Sequence, residues 1–175
     1  MSNPNQNIFL IGPMGSGKTT IGKHLARLLE LEFYDCDHEL EKQTGASVNL
    51  IFDVEGEQGF RIREGRLLEQ LTSRNGILLS TGGGVVTNEE NRALLRTRGF
   101  VVYLKTGIES QLKRLSHDKS RPLLQAKDRV QRLRDLARIR NPLYESTADL
   151  VYSARDQSVS ATAKELYAAI LEHLE

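Results

Sequence analysis

Gly12-Pro13-Met14-Gly15-Ser16-Gly17-Lys18-Thr19 matches the pattern glycine, four residues of any type, glycine, lysine, serine or threonine at every fixed position. The apolar run Ile8-Phe9-Leu10-Ile11 precedes it as a buried strand would, and Ile21, Leu25, Leu28 and Leu29 follow at helical spacing. Strand, glycine loop and helix are the setting in which this pattern holds phosphate. The glycines let the backbone curl so that successive N–H groups face phosphate oxygens, and the positive end of the following helix adds to the attraction. Lys18 is placed to reach the β- and γ-phosphates of a nucleotide, and the Thr19 hydroxyl to ligate Mg²⁺.

Outward from this loop, strand-like runs recur at Phe33-Tyr34, Ile77-Leu78-Leu79, Phe100 to Leu104 and Leu150-Val151-Tyr152. Helical patterns alternate with them over about 18–30, 57–73, 89–97, 108–115, 128–146 and 159–174. The alternation predicts an α/β fold: a parallel sheet with helices on both faces and ligands gathered at the carboxyl ends of the strands. Two stretches stand outside it, from about Glu39 to Gly59 and the polar segment Ser116 to Lys127. Polar loops of such length serve as binding elements or as plain surface.

The 175 residues suit one well-buried core and carry no internal repeat or low-complexity linker, so a single domain over 1–175 is expected. With 39% hydrophobic and 27% charged residues and a net charge of +1, the chain has neither the composition of a disordered protein nor a general affinity for nucleic acid or anionic membrane. Cys36 is the single cysteine, so no intramolecular disulfide forms. No run has the length of a bilayer span and residues 1–6 lack the features of a signal peptide, so the expected location is the cytoplasm.

Asp35-Cys36-Asp37 directly follows Phe33-Tyr34. In an extended chain residues two apart face the same side, which would turn both carboxylates one way. If this strand neighbours the phosphate loop, one carboxylate would hold magnesium waters and the other accept a proton from an attacking hydroxyl. The same residues also suit a solvated turn, or a helix cap at Asp37. His24, His38, His117 and His173 form no ligand-like cluster, which argues against a structural zinc site.

The ordered set Gly12 to Thr19, Asp35-Cys36-Asp37, Phe60 to Glu64, Thr81-Gly82-Gly83-Gly84, Arg121 to Leu124 and Arg140 to Tyr144 resembles shikimate kinase, a small P-loop kinase family, across essentially the whole chain. The resemblance implies transfer of the γ-phosphate of MgATP to the 3-hydroxyl of shikimate. It implies a three-layer sandwich around a five-stranded parallel sheet, with a substrate-binding subregion at about 37–64 and a lid at about 116–127. By the same resemblance Asp37, Lys18 and Arg121 are catalytic, and Thr19 and Asp35 serve the metal. Nucleotide contacts are implied at Gly15, Ser16, Gly17, Lys18, Thr19 and Thr20, at Arg114 and Arg121, and at Gln157. Acceptor contacts are implied at Asp37, Arg61, Gly82, Gly83, Gly84 and Arg140.

The chemistry of shikimate suits these assignments, because a carboxylate with three hydroxyls calls for planar bidentate cations and a carboxylate acceptor. Arg129, Arg132, Arg134, Arg138 and Arg140 share one predicted helix, and spacing alone does not single out Arg140; for most of them a solvated face paired with Asp128 or Asp135 is expected. Glu64, one turn beyond Arg61, either orients that guanidinium or lies on the surface. Pro13, Met14 and Cys36 occupy positions whose side chains need not contact ligand. ATP and shikimate are the expected partners of a monomer, with neither nucleic acid nor membrane.

Other readings fit less well. A gluconate or nucleoside monophosphate kinase shares the first loop and the sheet, yet a nucleobase site does not need two arginines and a triple glycine around one carboxylate. A GTP-binding switch lacks the Asn-Lys-any-Asp stretch that reads guanine. A silent nucleotide- or nucleic-acid-binding module sits poorly with the near-neutral charge and the retained Lys18, Thr19 and Asp37.

Overall fold

Short apolar runs of two to five residues, too short for helices, form the centres of strands four to six residues long. The computed structural model describes residues 6–116 and 128–175. Among the described residues the strands are β1 (Ile8–Ile11), β2 (Glu32–Asp35), β3 (Ile77–Ser80), β4 (Phe100–Lys105) and β5 (Leu150–Ser153). They form one parallel sheet in the order β2-β3-β1-β4-β5. Parallel strands need crossover connections, and helices supply them. These are α1 (Lys18–Leu28), α2 (Cys36–Thr44), α3 (Val48–Thr72), α4 (Glu89–Arg98), α5 (Ile108–Leu115), α6 (Arg129–Thr147) and α7 (Val159–Leu174), with a short 3₁₀ turn at Val85–Thr87.

Because successive strand residues point to opposite faces, β1 feeds two separate cores. Ile8 and Leu10 pack with Ile21 and Leu25 of α1 and Leu166 and Ile170 of α7. Phe9 and Ile11 pack on the other face with Leu67 and Leu68 of α3, Leu95 of α4 and Tyr144 of α6. The predicted α/β class, the parallel sheet and the covering of both its faces are therefore present. Cys36 is buried in the second of these cores, where burial pushes its thiol pKa well up and leaves it a packing residue.

The region from Glu39 to Gly59 departs from expectation: it is helical nearly throughout. Asp35 caps α2, its Oδ1 accepting from the His38 N–H at 3.0 Å, and Gly45 ends the helix at φ 68°. Ser47 then caps α3 by accepting from the Leu50 N–H at 3.1 Å. Inside α3, Gly56 adopts φ 73° and ψ 179°, a conformation open to glycine, and splits the element into two helical pieces. That break, with Gly59 close behind, erases a continuous 3.6-residue pattern, which is why periodicity passed over the helix. The caps Ser47 and Gly45 were the readable signals.

The sheet order places all five strand ends, and the loops that follow them, along one edge. Leu10 lies at the centre of β1 with no exposed surface. Leu10→Ala should lower the unfolding free energy by about 3 kcal/mol, as a truncated core leucine does, measured by urea denaturation with an unchanged m-value.

Candidate active site

The loop between β1 and α1 folds around its own lysine. Gly12, Gly15 and Gly17 take φ values of 148°, 77° and 88°, which side-chain-bearing residues rarely adopt. The Lys18 ammonium, nearly buried, donates to the Gly12 and Pro13 carbonyls at 2.7 and 2.9 Å and lies 3.3 Å from Ser16 Oγ. The Thr19 hydroxyl donates to Asp35 Oδ2 at 2.5 Å and sits 3.5 Å from Ser80 Oγ. Thr20 is exposed, with its hydroxyl 3.3 Å from the Gly17 carbonyl. A cavity of about 350 Å³ opens here, bounded by Gly15, Gly17, Lys18, Thr19, Thr20, Asp35 and Asp37.

Asp35 arrives by a route other than strand adjacency. β3 lies between β2 and β1, so the pairing of β2 beside the loop does not occur. Instead the first turn of α1 reaches across the end of β3. Asp37, likewise, is not extended: it occupies the first turn of α2, and the cap is Asp35 rather than Asp37. The helical turn nevertheless brings Asp37 to this cavity, to a second one described next and to a third hollow of about 460 Å³ beside α2.

A smaller cavity of about 60 Å³ adjoins the first, bounded by Met14, Asp37, Phe52, Arg61, Gly82–Gly84 and Arg140. Arg61 Nη1 donates to Glu64 Oε1 at 2.9 Å, Nη2 lies 3.4 Å from Glu57 Oε1, and the guanidinium stands 5.2 Å from the Phe60 ring centre. Glu64 is 3% exposed, which settles its place: it orients Arg61 and is no surface residue. Burial raises its pKa, and Arg61 opposes that rise. Its Oε2 is buried without a hydrogen-bond partner.

Arg140 is separated from the other α6 arginines by burial, at 5% exposed. Burial lowers its pKa, yet a guanidinium stays charged over any physiological range. Arg138 pairs with Asp135 at 2.9 Å, as expected of a solvated face, and Arg129 Nη1 donates to the Leu115 carbonyl at 3.4 Å.

None of the three glycines after β3 has a positive φ, and two of them, Gly82 and Gly84, are needed for space, whereas at Gly83 a side-chain carbon would make ordinary contact. A Cβ on Gly82 would stand 2.8 Å from Glu64 Oε2, one on Gly83 would stand 3.5 Å from Arg140 Nη1, and one on Gly84 would overlap the Arg61 guanidinium. Tyr144, fully buried, donates its hydroxyl to the Gly83 carbonyl at 2.5 Å and fixes this turn from α6. Burial raises the Tyr144 pKa, so it remains a donor.

Of the remaining expected residues, Arg114 Nη1 donates to the Gly15 carbonyl at 3.1 Å, above the glycine loop. The Gln157 amide is bonded to the Tyr152 hydroxyl at 2.9 Å and to Glu165 Oε2 at 3.1 Å. Arg121 and the expected lid, apart from Ser116, lie outside the described residues. Met14, whose side chain was not expected to need ligand contact, lines both cavities. Phe52 and Phe60, ring centres 4.6 Å apart, complete the wall of the smaller cavity. Met14 and Phe60 lie within motifs of the ordered set without a role assigned to them, and Phe52 lies outside every motif.

Comparison with known proteins agrees over nearly the full length. A family model described as shikimate kinase matches residues 14–174. The shikimate kinase of Pasteurella multocida is 54% identical over 162 residues, 92% of this chain and 93% of that protein. That of Alteromonas mediterranea is 52% identical over 165 residues, 94% of this chain and 96% of that protein. The structure of Acinetobacter baumannii shikimate kinase in complex with shikimate superposes with a TM-score of 0.94 at 50% identity, covering 95% of this chain and 93% of that one. Aquifex aeolicus shikimate kinase superposes with a TM-score of 0.80 at 35% identity, covering 94% of this chain and 96% of that one. With matches of this identity and coverage, and a parallel sheet ending in a glycine loop and a two-arginine cavity, the chain belongs to the shikimate kinase family.

Proposed function

We propose that this kinase transfers the γ-phosphate of MgATP to the 3-hydroxyl of shikimate, giving shikimate 3-phosphate and ADP. The observation that carries the reading is the pair of adjoining cavities, one walled by the glycine loop and Lys18, the other by Arg61 and Arg140, with Asp37 on both. Two guanidiniums beside an apolar wall suit a small hydroxylated carboxylate, and the relative from A. baumannii was solved with shikimate. The chain reads as one kinase domain over 1–175, with 37–64 as its acceptor-binding subregion.

In this reading Arg61 and Arg140 hold the acceptor carboxylate and Gly82–Gly84 let it approach the turn. Asp37 accepts a hydrogen bond from the reacting hydroxyl and takes its proton as the oxygen bonds to the γ-phosphorus and the bond to the β-phosphate oxygen breaks. Lys18 leaves its loop carbonyls for the β- and γ-phosphates, joined by the N–H groups of Gly15, Ser16 and Gly17 and by Thr20. Arg114, Gln157 and Arg121 complete the nucleotide side, Arg121 opposite the charge on the transferring group.

The donor set fits Mg²⁺. A hydroxyl and a carboxylate 2.5 Å apart at Thr19 and Asp35 are hard oxygen ligands, and among the described residues no group of three or more His, Cys, Asp or Glu could hold a metal unaided. Magnesium bound by few protein oxygens and completed by phosphates matches that arrangement. The bound ion would neutralise phosphate charge; Thr19 and Asp35 would fix its place. No helix among the described residues is long and apolar enough to cross a membrane, and a monomer in the cytoplasm is the simplest setting for two small-molecule substrates.

A coupled ADP-release assay with shikimate, gluconate and nucleoside monophosphates should show turnover with shikimate; turnover independent of shikimate, or preference for another acceptor, would refute the assignment. Asp37→Asn should lower kcat at least about a hundredfold while ADP still binds, and near-normal kcat would remove Asp37 from the proton transfer. A third expectation concerns Glu64, whose raised folded pKa makes its contribution to stability fully present below the unfolded value of about 4.3 and lost as pH rises through the folded one. The unfolding free energy of the wild type minus that of Glu64→Gln should therefore fall as pH rises through that window; a flat difference would contradict the shift.

A further inference from the structure

Next to the glycine loop, α5 presents a buried polar side chain that the phosphotransfer chemistry does not use. Gln111 is 3% exposed, and its Nε2 donates to the Met14 carbonyl at 3.0 Å, across 97 residues of chain. It stands beside an apolar cluster of Met14, Leu115 and Leu133, against which Leu112 and Leu136 pack. Burying an amide there costs free energy unless its hydrogen bonds are made, so the bond to Met14 is the site's reason for a polar residue. The approach is close: a Cβ on Gly15 would stand 3.1 Å from Leu115 Cγ and 3.4 Å from Gln111 Cα.

The geometry points to Gln111 as a positioning residue that holds the Met14 carbonyl on the α5 side and thereby aims the Gly15 N–H at the nucleotide phosphates. In a planar trans peptide the carbonyl and the N–H of the next residue point in opposite directions. Fixing one therefore fixes the other. Gly15 itself, at φ 77° and without a side chain, offers little resistance to rotation of that peptide, so an external anchor is required. Each neighbouring loop carbonyl has a donor of its own: Gly12 and Pro13 take Lys18, and Gly15 takes Arg114. Lys18 leaves its carbonyls when nucleotide binds in the proposed reaction, whereas the uncharged amide of Gln111 has no phosphate to follow. It keeps the loop in shape through the exchange.

The inference rests on the reading of this loop as the nucleotide site and deepens it. The test is the preference for ADP over AMP, because a loop N–H aimed at the β-phosphate serves the first and not the second. Competition titrations would measure both affinities for the wild type, for Gln111→Met, which keeps the volume and removes the donor, and for Gln111→Asn, which draws the amide back by about one carbon–carbon bond. The ADP-to-AMP preference should fall about tenfold in Gln111→Met, with a urea midpoint near that of the wild type. If that variant does not fold, Gln111→Asn must show the same loss. An unchanged preference, even with both nucleotides weakened, would reduce Gln111 to a packing role and overturn the proposal. A wild type with no preference for ADP would refute the nucleotide reading itself, and neither measurement depends on shikimate turnover.

Discussion

The bond from the Thr19 hydroxyl to the Asp35 carboxylate, 2.5 Å long, joins parts of the chain that the sheet keeps apart. Thr19 opens the helix after the central strand β1, and Asp35 ends β2 at the sheet's edge, with β3 between them. Asp35 also caps α2 through its other oxygen. One carboxylate therefore fixes the phosphate loop, the end of an edge strand and the helix that carries Asp37. Removing it would free the first turn of α2 and with it Asp37.

On the acceptor side the governing constraint is the lodging of charge in a nearly closed space. Arg140 and Glu64 are almost completely buried and Arg61 is partly so. Isolated charges in such a place are costly, and pairing offsets part of that cost. Arg61 has Glu64 and Glu57, but Glu64 keeps one oxygen without a partner. Opposite this cluster the chain removes side chains altogether, at Gly82, Gly83 and Gly84, so that the guanidiniums come close to backbone. A site arranged in this way holds two cations near one wall before any anion arrives, which favours a carboxylate ligand and leaves little to reorganise when it binds.

Both halves rest on the same supports. Met14 walls the donor and acceptor cavities together and packs on α5, and Tyr144 of α6 holds the Gly83 turn. The helices on either side of residues 117–127 thus brace the phosphate loop and the acceptor turn directly. The division into a nucleotide half and an acceptor half is a division of ligands; the protein beneath is continuous.

Much of this was legible in the sequence. The loop Gly12–Thr19 declared itself because phosphate binding by backbone demands particular residues at fixed spacing, and the apolar runs beside it gave the strand and helix. Arg61, Asp37, Gly82–Gly84 and Arg140 were reachable through the ordered family motifs, although spacing could not choose Arg140 among five helical arginines. The motif from Arg140 to Tyr144 singled it out, and in the structure burial sets it apart from the other four. The first part of α3 escaped because Gly56 interrupts its period. Strand order, the reach of Thr19 over β3 to Asp35, the walls Met14, Phe52 and Phe60, and the hold of Gln111 on Met14 were decided by tertiary structure alone. Each of these is a contact between residues far apart in the chain, and local pattern carries no information about which distant partner a side chain will meet.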